Sequence, residues 1–575
     1  MKQLAIILLI SAHSLFSRAP VIAPNLAATN GSLPKGYFRN PLDIPIQLAA
    51  NFGELRPNHF HMGFDIRTNQ RENLRVYAAA DGYVSKVKIE RYGFGQAIYI
   101  THPNGYSTLY AHLNDFYEPL KSTIKAKQYA DRQWEQEIEF PPGQFEVTKG
   151  QFIALSGNTG GSAGPHLHFE IRDSKTGNNL NPWLFDMGLA DNIKPSIFRL
   201  YYYDRRYSTY ETGPVALPIK SAGAGSYSGN GVLNLHSPYV SFGIAAGDKI
   251  TAVSNYYGIY AAELSVDDSL RSAFVLNDFS YDDTRYINAG IDYKTRASGG
   301  SYIQHLSRLP GNYSMIYSQD NDGTVLLTDT LVHDATITVR DVAGNSSVLS
   351  VKFRWDPSST RESVLLGSSK RMIPERENVF RTDDLDVTFS SKAFYDTVPF
   401  VYRSAPANDS KVVSAIHYLH NYTIPVHDSF TVRIKPTTLD AYNKEKVVMQ
   451  LVSNNKVEAV KGVWEDEWMS AKFRDLGMVR LIADEVAPTV VPSGFKNGGL
   501  ISNRGSISFT VKDNVGEIKS FQALEDGNWL LFKRKNYSFI HTFDEKTVAG
   551  SHELVVRVED VAGNVTEKTY NYITR

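Results

Sequence analysis

Short alternating runs of apolar and polar residues, cut by Gly, Asn and Asp, dominate the chain and predict β-strands. Gln96 to His102 (QAIYITH) and Tyr106 to Leu113 (YSTLYAHL) flank Pro103-Asn104-Gly105. Asn-Gly favours a tight turn, so this stretch reads as a hairpin. One segment departs from the pattern. Leu120 to Glu139 (LKSTIKAKQYADRQWEQEIE) carries good helix formers and neither Gly nor Pro, and predicts a helix of about five turns inserted into a β domain. At the N-terminus, Lys2 precedes an apolar run from Leu4 to Ala12, and small or polar residues follow to Ala19. That shape predicts a secretory signal peptide over 1–19, since a spanning helix needs about 20 apolar residues. No second run is long enough to span, so the mature chain is expected to be exported and to lack a transmembrane segment.

The later chain repeats itself weakly. Val339 to Asn345 reads VRDVAGN and Val558 to Asn564 reads VEDVAGN, with a looser third copy, VKDNVG, at Val511 to Gly516. Asp, Gly and Asn suit turns between strands. The leading segments match too: Asp191-Asn-Ile-Lys-Pro195 and Asp484-Glu-Val-Ala-Pro488. This pattern resembles bacterial immunoglobulin-like modules, and the resemblance implies β-sandwich domains at 191–355 and 484–575. A strand-rich region of unknown type is expected at 375–483, with 356–374 as a linker. A length of 575 residues agrees with several domains. Hydrophobic residues at 42% and charged residues at 21% are globular values. A net charge of -1 gives no general attraction to nucleic acid, and none is expected as a partner. With no cysteine, disulfides, thiol catalysis and a lipidated N-terminal cysteine are all excluded.

The histidines carry the chemistry. Six of fifteen fall between His59 and His168. In Asn58-His59-Phe60-His61-Met62-Gly63-Phe64-Asp65, His61 and Asp65 stand four apart and share a face in a strand or in a helix. In Gly164-Pro165-His166-Leu167-His168-Phe169-Glu170, a strand puts both imidazoles on one face and Leu167 and Phe169 in the core. Two histidines and a carboxylate form a protein ligand set for catalytic zinc, with the fourth position left to water. Spacing alone also allows His59 as a ligand, because His59-Phe60-His61 is itself an H-x-H.

These segments resemble the lysostaphin/LytM-type zinc metallopeptidases, which hydrolyse peptide cross-links of bacterial peptidoglycan. The shared pattern is H-x-x-x-D at His61 and Asp65, Y-x-H-L at Tyr110-Ala111-His112-Leu113, and H-x-H at His166 and His168. Flanks match as well: Gly53-Glu-Leu-Arg56, Val76 to Gly82, Lys149-Gly-Gln151 and Ser156 to Gly160. The resemblance covers about 40–185. It implies an antiparallel β-sandwich peptidase domain at 36–190, Zn2+ held by His61, Asp65 and His168, and His112 and His166 as catalytic histidines that do not bind the metal. It favours His61 over His59. The helical insertion, 114–142, departs from the family and is expected to wall or cover the substrate groove.

The remaining candidates read differently. His102, beside a turn, is expected on the surface. His417 and His420, three apart in a strand-like context, tend to opposite faces and make no metal site. The Gly-rich run Gly157 to Gly164 lacks P-loop spacing and is expected to bring backbone close to the cleft. Glu170 is either a support for the site or a solvated carboxylate, and Tyr110 either lines the groove or sits in the core. The expected protein is an exported zinc metalloendopeptidase of peptidoglycan, periplasmic or extracellular, whose immunoglobulin-like modules place it or bind an envelope protein. The alternatives are a non-catalytic or partner-gated LytM-type scaffold that activates another wall hydrolase, marked by a lost ligand, and a surface adhesin whose β modules matter most.

Overall fold

A computed structural model describes residues 33–251, 255–358, 370–438, 443–501, 505–543 and 547–575. The predicted signal peptide and the centre of the predicted linker lie outside the described residues. Within them the chain is a series of β-sandwiches, as the alternation predicts. No helix among the described residues is long and apolar enough to cross a membrane.

The N-terminal region is built on β1 (Leu48–Ala50), β2 (Phe64–Arg67), β3 (Arg75–Tyr77), β4 (Gly82–Ile89), β5 (Gln96–Thr101), β6 (Tyr106–Ala111) and β7 (Leu113–Phe116). Helix α1 (Leu120–Asp131), β8 (Gln136–Glu139), β9 (Phe152–Ser156) and β10 (His166–Asp173) follow. The main sheet runs β1-β2-β10-β6-β5-β4-β8, and a small sheet, β3-β9-β7, packs with it. Phe64, Ile66, Leu167, Phe169 and Ile171 are fully buried on one face of the main sheet. Period-two alternation therefore places Asp65, His166, His168 and Glu170 on the other. The β5–β6 hairpin forms as its Asn-Gly turn predicts, with Thr101 opposite Ser107.

The predicted five-turn helix is only half helix. α1 buries Leu120, Ile124 and Gln128 along one stripe, then ends at Arg132, whose left-handed backbone (φ 51°) donates its N–H to the carbonyls of Gln128 and Tyr129. The following Gln136–Glu139 runs antiparallel to β4 and extends the main sheet. A free sheet edge overrides the good helix propensity of these residues.

The 191–355 segment has a five-stranded sheet and a six-stranded sheet. Its apolar core is not separate from that of the N-terminal region: one buried cluster runs from Phe38 to Phe353. Phe279 joins the two, 4.6 Å from Phe52 and 5.3 Å from Phe60. By contrast, 370–483 encloses a second core that also takes in Tyr210 of the preceding segment, and 484–575 encloses a third. The last module returns to the N-terminal region, where Trp529 meets Tyr129 of the insertion edge to face at 5.4 Å and Glu517 pairs at 2.8 Å with Arg91, which follows β4.

Candidate metal centre

Register brings the predicted ligands together. Asp65 on β2 lies directly opposite His168 on β10, and His168 also lies opposite Ala111 at the end of β6, next to His112. His61 arrives differently from the expectation. It is not on the same strand as Asp65 but on the connection before β2, beyond the short strand His59–Phe60. Gly63 lets that connection press against β10: a Cβ there would stand 2.3 Å from the Phe169 carbonyl oxygen.

His61 Nε2 and His168 Nδ1 are 3.1 Å apart, and each is 2.9 Å from Asp65 Oδ1. The outer nitrogens fix the tautomers. His61 Nδ1 donates to the Asn51 carbonyl at 2.7 Å, and His168 Nε2 donates to Glu170 Oε1 at 2.9 Å. The inner nitrogens of the neutral rings therefore turn lone pairs toward each other and toward a carboxylate oxygen. Such an arrangement needs a cation at its centre. Ligands held at about 2.05 Å in a tetrahedron stand about 3.3 Å apart, close to the spacing here. The residues fit a metal. Without one, a proton takes its place: burial pulls His168 down, but the hydrogen bonds and charges of Asp65 and Glu170 more than offset this and raise it to about 9. His61 is lowered by burial. Burial would raise Asp65, but the surrounding histidines hold it well below the carboxylate range. A metal bound at this cluster would displace the proton.

Two more imidazoles face the open side. His166 Nδ1 donates to the Gly164 carbonyl at 2.8 Å, leaving Nε2 buried, without a hydrogen-bond partner and 3.3 Å from Asp65 Oδ1. His112 Nδ1 donates to the Thr159 carbonyl at 2.8 Å. Its backbone is left-handed (φ 61°), where the chain leaves the main sheet for the small one, and the ring lies 4.7 Å from that of His166, tilted by 55°. Burial and the neighbouring histidines push His112 down to about 3. The Gly-rich run supplies both carbonyl acceptors. It approaches the Gly93–Gly95 turn so closely that a Cβ on Gly160 would stand 2.2 Å from the Gly95 nitrogen.

Support beyond the ligands comes from residues whose role the sequence left open or hid. Glu170 is fully buried. Its Oε2 accepts from Arg172 at 2.7 Å, and its Oε1 accepts from the Tyr281 hydroxyl at 2.5 Å. Burial alone would raise Glu170, but Arg172 and the hydrogen bonds from His168 and Tyr281 bring it down to about 2. Arg56 holds Asp65 Oδ2 at 2.9 Å. Tyr281 belongs to the 191–355 segment, and no local pattern points to it.

The other candidates fall elsewhere. His59 lines the cleft but lies outside the cluster of three, its Nδ1 on the Pro57 carbonyl. His102 corrects the expectation of a surface residue: it is 3% exposed, held by the Asp81 carbonyl and Thr108, with its ring against Phe38. Tyr110 is core, its hydroxyl accepting from the Ala79 N–H. His417 is buried against Tyr402, and His420 stacks on Phe400. The cleft, about 950 Å3, is lined by residues that include Arg56, Gln70, Phe94 and Tyr281 and by none of 114–142. The insertion does not wall the groove; it packs against the last module.

Two family matches agree with this picture. Residues 59–130 and 136–182 match peptidase family M23. Residues 369–484 match a Zu5-like domain, over the stretch whose type the sequence left open. The chain is 35% identical over 160 residues to a Haemophilus influenzae protein named as an uncharacterized metalloprotease, covering 26% of this chain and 27% of that one. It is 32% identical over 157 residues to the Neisseria meningitidis DD-carboxypeptidase/endopeptidase Mpg, covering 27% of each. It is also 32% identical over 167 residues to the Salmonella dublin murein hydrolase activator NlpD, covering 28% of this chain and 36% of the relative. Among solved structures, a zinc-containing peptidase from Vibrio cholerae aligns at 30% identity and TM-score 0.18, over 24% of this chain and 37% of that one. The chain thus spans about a quarter to a third of the length of the curated relatives it matches. The resemblance to peptidase family M23 is thus confined to residues 59–130 and 136–182, and the remaining β domains lie outside that match.

Proposed function

We propose that this protein is an exported zinc metalloendopeptidase that hydrolyses peptide cross-links of peptidoglycan, acting in the periplasm or at the cell surface. The observation that carries the reading is the intact cluster of His61 Nε2, Asp65 Oδ1 and His168 Nδ1, with the unpartnered Nε2 of His166 on its open side. His61, Asp65 and His168 would hold the zinc, and the bound ion would supply Lewis acidity, lowering the pKa of a water and polarising the scissile carbonyl.

The chain's own groups do the rest. The Gly164 and Thr159 carbonyls commit each Nδ1–H, so His166 and His112 both present Nε2 to the cleft. A neutral Nε2 accepts a proton from the attacking water, and a protonated one donates to the oxygen that gains charge in the tetrahedral transition state. Glu170 and Asn51 orient the ligand rings, as carboxylate and carbonyl partners of metal-binding histidines do. The cleft, open beside this cluster, is large enough for a peptide of several residues.

The relative named as a murein hydrolase activator keeps a scaffold reading in view. The complete ligand set favours catalysis here. Digestion of purified sacculi by the zinc-loaded chain tests this, with released fragments identified by mass spectrometry beside a His168→Ala control. Conversion of cross-linked dimers to monomers by the wild type alone is expected, and the masses name the bond. A folded, zinc-loaded chain that releases nothing would overturn the hydrolase reading in favour of the scaffold.

A further inference from the structure

Two sets of three aspartates recur at the same places in the two modules that share the D-V-A-G-N turn. In the first, Asp191 precedes the leading strand Ser196–Asp204, Asp248 follows its partner strand Tyr239–Gly247, and Asp341 opens the D-V-A-G-N turn after His333–Arg340. In the last, Asp484 precedes Thr489–Ser493, Asp513 follows Ser506–Lys512, and Asp560 opens the second D-V-A-G-N turn. VKDNVG is therefore not a third turn of that kind; its aspartate is the counterpart of Asp248. In each set, one carboxylate oxygen per residue lies within 4.8 Å of the other two.

Local structure spends some of these oxygens and spares others. Asn345 donates its backbone N–H to Asp341 Oδ1 and its side chain to Oδ2, and Asn564 does the same for Asp560. Asp191 Oδ1 accepts from Ile193 and Thr251. Asp248 is 5% exposed, yet its Oδ1 is buried with no hydrogen-bond partner. Asp484, 1% exposed, leaves Oδ2 unpartnered in the same way, and so does Oδ1 of Asp513. A buried carboxylate oxygen with no donor has lost its hydration without compensation, and the penalty grows when the group is charged. Among the described residues no Lys or Arg charge relieves Asp248. Burial first, then Asp341 and Asp191, push it up to about 8.

The first set also has a cavity. Asp191, Asp248 and Asp341 line a narrow space of about 20 Å3 whose opposite wall is Asn51, Phe52 and Trp183 of the N-terminal region. That is room for about one ion or one water.

We propose that Asp191, Asp248 and Asp341 bind a calcium ion at the seam between the M23 domain and the module behind it, and that Asp484, Asp513 and Asp560 form a second site of the same kind. An oxygen-only, carboxylate-rich set selects a hard cation over zinc or copper. Mg2+ gives up its hydration water reluctantly, and the cavity has no room for that shell, whereas Ca2+ accepts many protein oxygens in irregular geometry. The seam ion offsets two of the three carboxylate charges and ties the module to the wall that contains Asn51, whose carbonyl orients His61. Asn51 also bonds the Gly258 carbonyl through Nδ2, so one residue spans seam and metal centre.

Calorimetry of the zinc-loaded full chain against CaCl2 tests the proposal. Two bound Ca2+ per chain are expected, with a raised thermal midpoint. Asp248→Asn should abolish one and Asp513→Asn the other, while both variants keep their zinc. Without calcium, and at a pH above 8 where Asp248 is charged, Asp248→Asn should be no less stable than the wild type, because it removes a repelling charge. Should a variant misfold, Tb3+ luminescence excited through Trp183 in the wild type, quenched by added Ca2+ and lost in Trp183→Phe, reports the seam site independently. A wild-type chain that binds no Ca2+ at millimolar concentration, or an Asp248→Asn chain that binds as many as the wild type, overturns the proposal.

Discussion

Replacing Glu170 by Gln tests how the metal centre is held. The substitution keeps the shape and removes the charge. Glu170 Oε1 receives His168 Nε2 and Tyr281, and Oε2 receives Arg172. A glutamine has one acceptor oxygen and one donor NH2, so either orientation sets a donor against donors. If the oxygen stays with Arg172, His168 loses the partner that fixes its tautomer, and zinc affinity should fall about 10–100-fold, or about 1.4–2.8 kcal/mol. If it turns to His168, the largely buried Arg172 is left without its ion pair, a loss of about 3 kcal/mol. Competition with a chromophoric chelator measures the affinity, and amide exchange along His166–Asp173 measures local stability. Adding Arg172→Met should recover stability without recovering zinc affinity. A Glu170→Gln chain that binds zinc as tightly as the wild type would refute the reasoning.

Three further outcomes follow from the same contacts. Tyr281→Phe keeps a ring that faces Phe94 and removes only the hydroxyl on Glu170, so zinc affinity should fall severalfold with the fold intact; unchanged affinity would reduce Tyr281 to a wall of the cleft. His427 stacks on Tyr286 at 4.3 Å and is pushed down to about 4 by burial. Its folded value lies below the unfolded one, near 6.5, so the stability it contributes is full above about pH 6.5 and is lost as pH falls through about 4. Thermal midpoints at pH 7 and pH 4.5 should therefore differ more for the wild type than for His427→Gln, and equal differences would place the acid sensitivity elsewhere. Tyr129→Ala and Trp529→Ala should couple by about 0.5–1.5 kcal/mol in a double-mutant cycle, and zero coupling would show that the insertion does not hold the last module.

Much of the site was legible because strand periodicity converts spacing into direction. His166, His168 and Glu170 alternate with Leu167 and Phe169, so one face of β10 could be read from the letters alone. The i, i+4 spacing of His61 and Asp65 names a pair that the structure does bring together, but through a different local conformation, since Gly63 and the turn before β2 set His61 in place. Tyr281 and Asn51 were not legible. Tyr281 reaches Glu170 across 111 residues of sequence, and Asn51 offers His61 a backbone carbonyl that any residue would carry, so nothing local distinguishes them from any other tyrosine or loop asparagine. For the same reason 190/191 reads as a change of pattern while the apolar core continues across it. The insertion failed differently: Gln136 to Glu139 favour helix by composition, but β4 offers them an unpaired edge. His102 reads as a turn-flanking surface residue and is buried because both ring nitrogens find partners.

The central claim is that ligands and proton-transfer groups are different histidines in one cluster. Zinc content and turnover of a cross-linked muropeptide dimer, measured together on the wild type, His168→Ala and His166→Ala, test it most directly. The account predicts that His168→Ala loses both zinc and activity, whereas His166→Ala keeps its zinc and loses about 10²–10⁴-fold in turnover. A His166→Ala chain that turns over at the wild-type rate, or a zinc-free His168→Ala chain that still cleaves, would contradict it.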